Sequence, residues 1–131
     1  QGIDWVNEFV RVVHDQTGIW PWIYANPWRF NQGGVEPNCM RWIASYPDVL
    51  RPGLDYDPGE PPETDGLVGC WQYASDGQVP GYAGNLDVNR FFGSVGAWQA
   101  YAGVPSSGQP DPSPSQSVLE NDRFRVTIEE K

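Results

Sequence analysis

The strongest constraint on the fold is a helical pattern that leads at once into a short buried strand. Apolar residues recur at helical spacing across residues 4–16, and Asp4 is of a type that caps helix N-termini. The pattern stops before Gly18, because glycine accepts the left-handed conformation that ends many helices. The aromatic run at residues 20–26 is bounded by prolines and predicts a buried strand. A helix that leads into a buried strand is half of a βαβ unit and predicts an α/β protein.

Four further segments follow from their composition. Residues 40–47 and residues 66–74 each combine aromatic and β-branched residues and predict a second and a third strand. Between them, residues 48–65 are rich in proline and acidic residues, which predicts a long surface loop. Residues 91–102 predict a final helix, weakened by two internal glycines. The pattern after residue 32 otherwise indicates loops rather than helices.

The composition changes at residue 104. Residues 104–117 hold four prolines among Ser, Gly and Gln, so they predict a linker that cannot bury enough apolar surface to fold. Residues 118–131 end in an alternating apolar and charged run, which predicts either an added edge strand or the first piece of another domain. The chain begins with Gln, and we expect residue 1 to lie inside a longer product.

Charge and hydropathy argue against two classes of partner. The chain has 131 residues and a net charge of −9, and its few basic residues are scattered. No nucleic acid is expected, because the sequence has no cluster of Lys and Arg that would neutralise phosphates. No run approaches the roughly 18 apolar residues of a membrane helix, so no membrane partner is expected.

The two cysteines leave two alternatives open. Cys39 and Cys70 form one disulfide if their strands are neighbours, and otherwise stay free thiols, because sequence does not supply their Cα separation. They are too few for a zinc site, and we expect no metal and no other cofactor.

Aromatic residues make up 14% of the chain, and they are dense in residues 69–91 together with an amide and an apolar-flanked Asp. This stretch has two interpretations. It is either a strand, a turn and a second strand that fill a core, or a carbohydrate site. Sugars offer C–H faces that stack on rings and hydroxyls that bind planar amides and carboxylates, and the stretch supplies both kinds of group.

Four motifs occur in an order that points to one family. They are TGIWPWIYANPW (17–28), RWIASYP (41–47), CWQYAS (70–75) and VPGYAGNLDVNRF (79–91). Over about residues 2–102 the chain resembles the C-terminal half of glycoside hydrolase family 25. These lysozymes cleave peptidoglycan between N-acetylmuramic acid and N-acetylglucosamine. The resemblance implies the C-terminal half of an irregular TIM-like β/α barrel over residues 1–103, whose later strands lack the usual helices.

The resemblance also assigns site residues. Asp87 matches the family's aspartate on the last strand and is expected to be catalytic. Four residues are expected to bind substrate: Tyr24, Tyr46, Trp71 and Gln72. Active-site groups of such barrels lie at the C-terminal ends of strands, where Tyr24, Tyr46 and Asp87 are predicted to lie. The alternative for Asp87 is a turn cap, and His14 is interpreted as a cation near a helix C-terminus.

The chain departs from the family in one respect. Glycoside cleavage needs two catalytic groups, and the family's Asp-x-Glu pair would fall before residue 1. No substitute is found, because Glu60 and Glu63 lie in the proline-rich loop and Glu8 lies on the helix outside the barrel. The segment alone is therefore expected to be inactive.

The function expected from the resemblance is one part of a peptidoglycan-degrading muramidase, a phage lysin or a secreted enzyme that acts outside the cell or at the bacterial wall. Its expected partners are the glycan strands and the missing N-terminal half or another chain. The first alternative is a non-catalytic module that binds wall glycan or forms a structural part of a phage particle, and the second is a pure interaction protein.

Overall fold

The structure is a computed structural model, and it describes residues 2–103. Its elements are α1 (Ile3–Thr17), β1 (Ile23–Ala25), α2 (Pro27–Asn31), β2 (Arg41–Ala44), β3 (Val68–Gly77), β4 (Leu86–Phe91) and α3 (Val95–Tyr101). The described residues divide into one unit that ends at Arg90 and a second unit that begins at Phe91 and contains α3. The predicted linker and tail lie outside the described residues.

The four strands form one sheet in the order β1-β2-β3-β4. β1 pairs with β2 and β2 pairs with β3, both in parallel, with Tyr24 beside Trp42 and Ala44 beside Gln72. The three predicted strands are confirmed, and residues 69–91 form a strand, a connection and a second strand. The α/β class is therefore correct, whereas closure into a barrel stays a prediction.

The first helix forms where its apolar spacing predicts, but it begins differently. α1 ends at Gly18, which adopts the left-handed conformation with φ 74° and donates its N–H to the carbonyl of His14. The predicted cap at Asp4 is wrong. Gly2 occupies the N-cap position, and Asp4 lies in the first turn, where its charge still favours the helix dipole.

The two short helices show what periodicity misses. α2 was not predicted, because five residues are too few for an apolar repeat, although its start carries a local signal. Asn26 accepts a hydrogen bond from the Arg29 N–H, and Pro27 follows at the first helical position. The predicted final helix starts late, since Phe91 still belongs to β4 and Ser94 caps α3. Residues 33–93 contain no helix.

A buried arginine organises the segments around β2. Arg41 is 2% exposed and donates to three backbone carbonyls, those of Glu36 at 3.0 Å, Asp65 at 3.0 Å and Cys39. Its guanidinium lies 5.4 Å from the ring centroid of Phe30 in α2. We call Arg41 with Glu36 and these carbonyls the arginine network. Burial lowers the pKa of Arg41, and Asp65, Cys39 and Glu36 oppose that shift.

The Glu36 side chain joins this network to α1. Arg11 binds its carboxylate at 2.9 Å, and the Asn38 side chain donates to it at 2.9 Å. Burial acts to raise the pKa of Glu36, but the donors of Asn38 and Arg11 outweigh it, so the pKa lies below its ordinary value. Asn7 of α1 accepts from the Glu36 N–H and donates to the Gly34 carbonyl.

The long acidic loop lies against β3 and β4. Tyr56 packs on Tyr73 of β3 with ring centroids 5.9 Å apart, and Arg90 of β4 forms an ion pair with Asp57. The predicted loop therefore covers part of the sheet.

Both cysteines are buried free thiols, so the disulfide alternative is not formed. Burial raises the pKa of the Cys39 thiol, and it raises the pKa of Cys70 to about 11. Both groups therefore stay protonated at neutral pH.

Candidate functional site

Two tyrosines converge on one buried amide. The hydroxyls of Tyr24 and Tyr46 donate to Oε1 of Gln72, at 2.5 Å and 2.9 Å. Gln72 is only 5% exposed, whereas each tyrosine is 53% exposed. Tyr24 belongs to β1, Gln72 to β3, and Tyr46 follows β2, so the parallel pairing of these strands brings the three residues together. A buried acceptor thus fixes two rings that solvent still reaches.

Asp87 of β4 acts on the same group. Partial burial of its hydroxyl, then Tyr46 and then the Asp87 charge raise the pKa of Tyr24 above its ordinary value of 10. Tyr24 therefore remains a protonated donor at neutral pH. We call Tyr24, Tyr46, Gln72 and Asp87 the tyrosine cluster. Four of the five predicted site residues thus lie in one neighbourhood.

The surroundings of Asp87 bear on its two predicted roles. Asp87 is exposed and lies inside β4 rather than in a turn. Across residues 2–103 no backbone N–H donates to its carboxylate, which a turn cap would require. Its carboxylate is therefore available to a ligand.

Sequence reasoning missed a second pair beside the cluster. The indole N–H of Trp42 donates to Oδ1 of Asn89 at 2.8 Å, and the Trp42 ring meets the Tyr24 ring edge-on with centroids 5.7 Å apart. Period-two alternation could have found both, since Asn89 follows Asp87 by two positions in β4 and Trp42 pairs with Tyr24. Trp42 therefore forms a side wall of the cluster, and Asn89 holds its ring.

Trp71 does not join the cluster. It precedes Gln72 in β3, so its side chain projects to the opposite face of the sheet. There it packs edge-on against Tyr73 and donates its indole N–H to the Ser45 carbonyl at 2.6 Å. The residue is 3% exposed and offers no free ring face to a sugar. The predicted sugar contact is therefore replaced by support of the chain just before Tyr46.

The other ionisable candidates lie elsewhere. His14 stacks on Trp20 with ring centroids 4.0 Å apart, and its Nδ1 lies 3.7 Å from Asp15. The described residues contain no group of three or more His, Cys, Asp or Glu side chains able to hold a metal ion. Within residues 2–103, no helix has the length and apolar character needed to cross a membrane.

Together with the neighbouring Trp42, the tyrosine cluster combines three kinds of group that recognise polar rings. Tyr24, Tyr46 and Trp42 supply aromatic surface, the two hydroxyls and the Gln72 amide supply hydrogen bonds, and Asp87 supplies one negative charge. Because both hydroxyls bind Oε1, the amide nitrogen of Gln72 is left with no partner among the described side chains and backbone. The site therefore offers donors, acceptors and ring faces within one small area.

Comparison with known proteins gives two similar chains. The uncharacterized protein YegX of Escherichia coli K12 is 29% identical over 99 residues, which span 73% of this chain and 32% of that protein. A solved structure of a muramidase from Acremonium alcalophilum is 27% identical, with a TM-score of 0.48 over 76% of this chain and 44% of that chain. This chain thus spans about a third of the first protein and less than half of the second. No protein-family model matches it.

Proposed function

We propose that this chain is the part of a peptidoglycan-hydrolysing lysozyme that binds the glycan and supplies Asp87 to cleavage between N-acetylmuramic acid and N-acetylglucosamine. The observation that carries the proposal is the convergence of Tyr24 and Tyr46 on the buried Gln72 amide beside Asp87. The four family-like motifs predict this function, and each of them contributes one residue to the tyrosine cluster.

The exposure and polarity of the cluster support the proposed sugar binding. Tyr24 and Tyr46 are half exposed with their hydroxyls fixed, so little side-chain freedom is lost when a sugar ring stacks on them. The Gln72 amide nitrogen can donate to a sugar hydroxyl or to an acetamido carbonyl. Asp87 can accept from a hydroxyl in the ground state and stabilise positive charge on the sugar in the transition state.

Hydrolysis needs a second group. Within residues 2–103, Asp87 is the one carboxylate whose charge acts on Tyr24, and general acid catalysis requires another that protonates the leaving oxygen. We propose that this acid comes from the first half of the barrel, outside the printed sequence. By itself the chain would bind glycan without cleaving it. The complete enzyme would act outside the cell, at the bacterial wall.

One observation favours a second candidate function. The cluster as described holds a single carboxylate, which suffices for binding but not for cleavage. A wall-binding or phage structural module would need only the rings and the amide. The two candidates agree on the ligand and differ on turnover.

The decisive experiment joins the chain to an N-terminal half that carries an Asp-x-Glu pair and measures wall lysis and glycan affinity. Asp87→Asn keeps the size of the side chain and removes its charge, so turnover should fall on the order of a hundredfold. Affinity for a peptide-free glycan should stay within about threefold. Glu8→Gln, an exposed change on α1, is the matched control and should alter neither quantity.

Two results would contradict the enzymatic proposal. Lysis that Asp87→Asn leaves within about threefold, with a lowered melting temperature, would make Asp87 a structural residue. Glycan binding by a joined protein that never lyses walls would favour the binding module.

A further inference from the structure

We propose a second binding site, separate from the tyrosine cluster, that takes a primary ammonium group on an aliphatic chain. It is a cavity of about 630 Å³ between residues 53–55 of the acidic loop and residues 78–82 of the β3–β4 connection. The identity of the ligand rests on the proposed function. We infer that the ammonium group belongs to the diamino acid in the peptide stems of the same bacterial wall.

The base of this cavity is tied by backbone contacts. The Gln78 N–H donates to the Pro52 carbonyl at 2.9 Å, which joins the β3–β4 connection to the acidic loop. The Asp76 carboxylate accepts from the Arg51 N–H at 3.1 Å, next to that contact. These two bonds hold the loop and the connection at a fixed separation, so the space between them is part of the fold.

Each wall is a turn closed by its own hydrogen bond. The Tyr56 N–H donates to the Gly53 carbonyl at 3.3 Å on one side, and the Tyr82 N–H donates to the Val79 carbonyl at 3.1 Å on the other. Gly84 allows the Tyr82 ring to lie against the backbone, since a Cβ there would come within 2.7 Å of that ring. Tyr82 and Leu54 are 55% and 65% exposed, so both line the cavity with surface that solvent reaches.

The lining has one charge. Asp55 supplies a carboxylate, and no Lys, Arg or His side chain lines the cavity. Tyr82 offers an aromatic ring to a cation, while Leu54, Val79 and Pro80 offer apolar surface to an aliphatic chain. An ammonium group meets both the carboxylate and the ring, whereas an anion would face uncompensated repulsion.

A neutral sugar fits this lining less well than an amine. The side-chain nitrogen of Gln78 already donates to the carbonyls of Asp76 and Gly77, at 3.1 Å and 3.2 Å. The amide donors that a sugar hydroxyl would use are therefore engaged. The groups that remain for a ligand are mainly the Asp55 carboxylate, the Tyr82 ring and apolar side chains. A protonated alkylamine can contact all three.

The two sites lie at different positions along β3. The cavity begins just beyond Gly77, and Gln72 of the tyrosine cluster lies five residues earlier in the strand. Five strand residues span about 16 Å. A branched ligand could thus occupy both sites with different chemical groups.

The test titrates the 131-residue chain with Nα-acetyl-lysine methylamide and with its Nε-acetylated form, while NMR chemical shifts are followed. The amine should bind at least about fivefold more tightly than the acetylated form, and added salt should reduce that preference. Asp55→Asn should lose most of the preference, and Tyr82→Leu should weaken amine binding about two- to fourfold. Glu8→Gln removes an exposed carboxylate elsewhere and should change nothing.

Equal binding of the two probes by the wild-type chain would overturn the proposal, as would an equal loss in Asp55→Asn and Glu8→Gln. Binding of a peptide-free glycan oligomer tests the proposed function independently of the amine site. Glycan binding by the wild-type chain should depend on Tyr46 and not on Asp55. A wild-type chain that binds the amine but not the glycan would contradict the role of the tyrosine cluster and leave the cavity proposal standing.

Discussion

The tyrosine cluster and the arginine network are both polar groups packed against the same sheet, yet they differ in what satisfies them. Arg41 is 2% exposed, and its guanidinium N–H groups donate to backbone carbonyls. Gln72 is nearly as buried, but its partners are the hydroxyls of two half-exposed tyrosines. The partners of Arg41 are therefore backbone atoms of the fold, whereas the partners of Gln72 are side chains that solvent reaches.

This difference separates a structural role from a binding role. Backbone carbonyls cannot move away from Arg41 without a change in the fold, so the arginine network couples the segments around β2. The tyrosine hydroxyls donate to Gln72 but keep their own lone pairs and ring faces open to solvent, so a ligand can bind without breaking these hydrogen bonds. Changes in the arginine network should therefore affect stability, and changes in the tyrosine cluster should affect binding.

The largest effect is expected for Arg41→Met. The substitution keeps apolar volume but leaves two buried carbonyls and one part-buried carbonyl without their donor, which should lower the free energy of unfolding by about 3–5 kcal/mol. Urea denaturation measures the loss. Arg51→Met, at an exposed arginine, is the control and should cost less than about 1 kcal/mol. If both variants lose the same free energy of unfolding, the arginine network does not have the structural role that distinguishes it from the tyrosine cluster.

A second prediction concerns Cys70, which shares the Gln72 face of β3 by strand alternation. Its pKa is about 11 in the folded protein, against an ordinary value of 9. Below pH 9 both states hold the proton, and stability does not depend on this group. Between pH 9 and pH 11 the unfolded thiol ionises first, so stability falls as pH rises.

The loss from Cys70 should approach roughly 2 kcal/mol by pH 11. Thermal or urea unfolding of wild type and Cys70→Ala across this range isolates it, because other raised groups such as Tyr73 titrate in both proteins. The stability difference between the two should shrink as pH rises. A stability difference that does not change with pH would mean that solvent reaches the Cys70 thiol in the folded protein.

A smaller effect is expected where the acidic loop approaches Arg41. Gly66 has φ +96°, and a Cβ there would lie 2.6 Å from the Arg41 guanidinium. Gly66→Ala should therefore destabilise by about 1–3 kcal/mol. Gly59→Ala, at φ +77° with open space around it, carries the backbone strain without the clash. If calorimetry gives both variants the same melting temperature, the guanidinium is not held in place.

The smallest effect on stability is expected for Tyr24→Phe. Tyr46 still donates to Gln72, so the free energy of unfolding should change by less than about 1 kcal/mol. Affinity for a peptide-free glycan should fall about three- to tenfold, since the ring remains but its oriented hydroxyl is lost. The double variant with Tyr46→Phe strips the buried oxygen of both donors and should cost more than the sum of the single variants. Strict additivity would show that the amide does not couple the two rings.

Periodicity and turn chemistry were enough to predict the main elements. The apolar spacing before Gly18 predicted α1, and the short aromatic runs predicted β1, β2 and β3, because these signals are local to each segment. The same local logic failed for α2, whose five residues hold no repeat. It also misplaced Trp71, although alternation with Gln72 assigns the two side chains to opposite faces.

The sequence by itself determined the order of helices and strands and the chemical types available to a site, because both depend on neighbours along the chain. Only the tertiary structure decided which polar residues meet. Tyr24 and Gln72 are 48 positions apart, and Trp42 and Asn89 are 47 apart. The burial of Arg41 depends on carbonyls from two loops, and no local pattern signals it. Contacts of this kind follow from strand register and loop packing, which are properties of the folded chain as a whole.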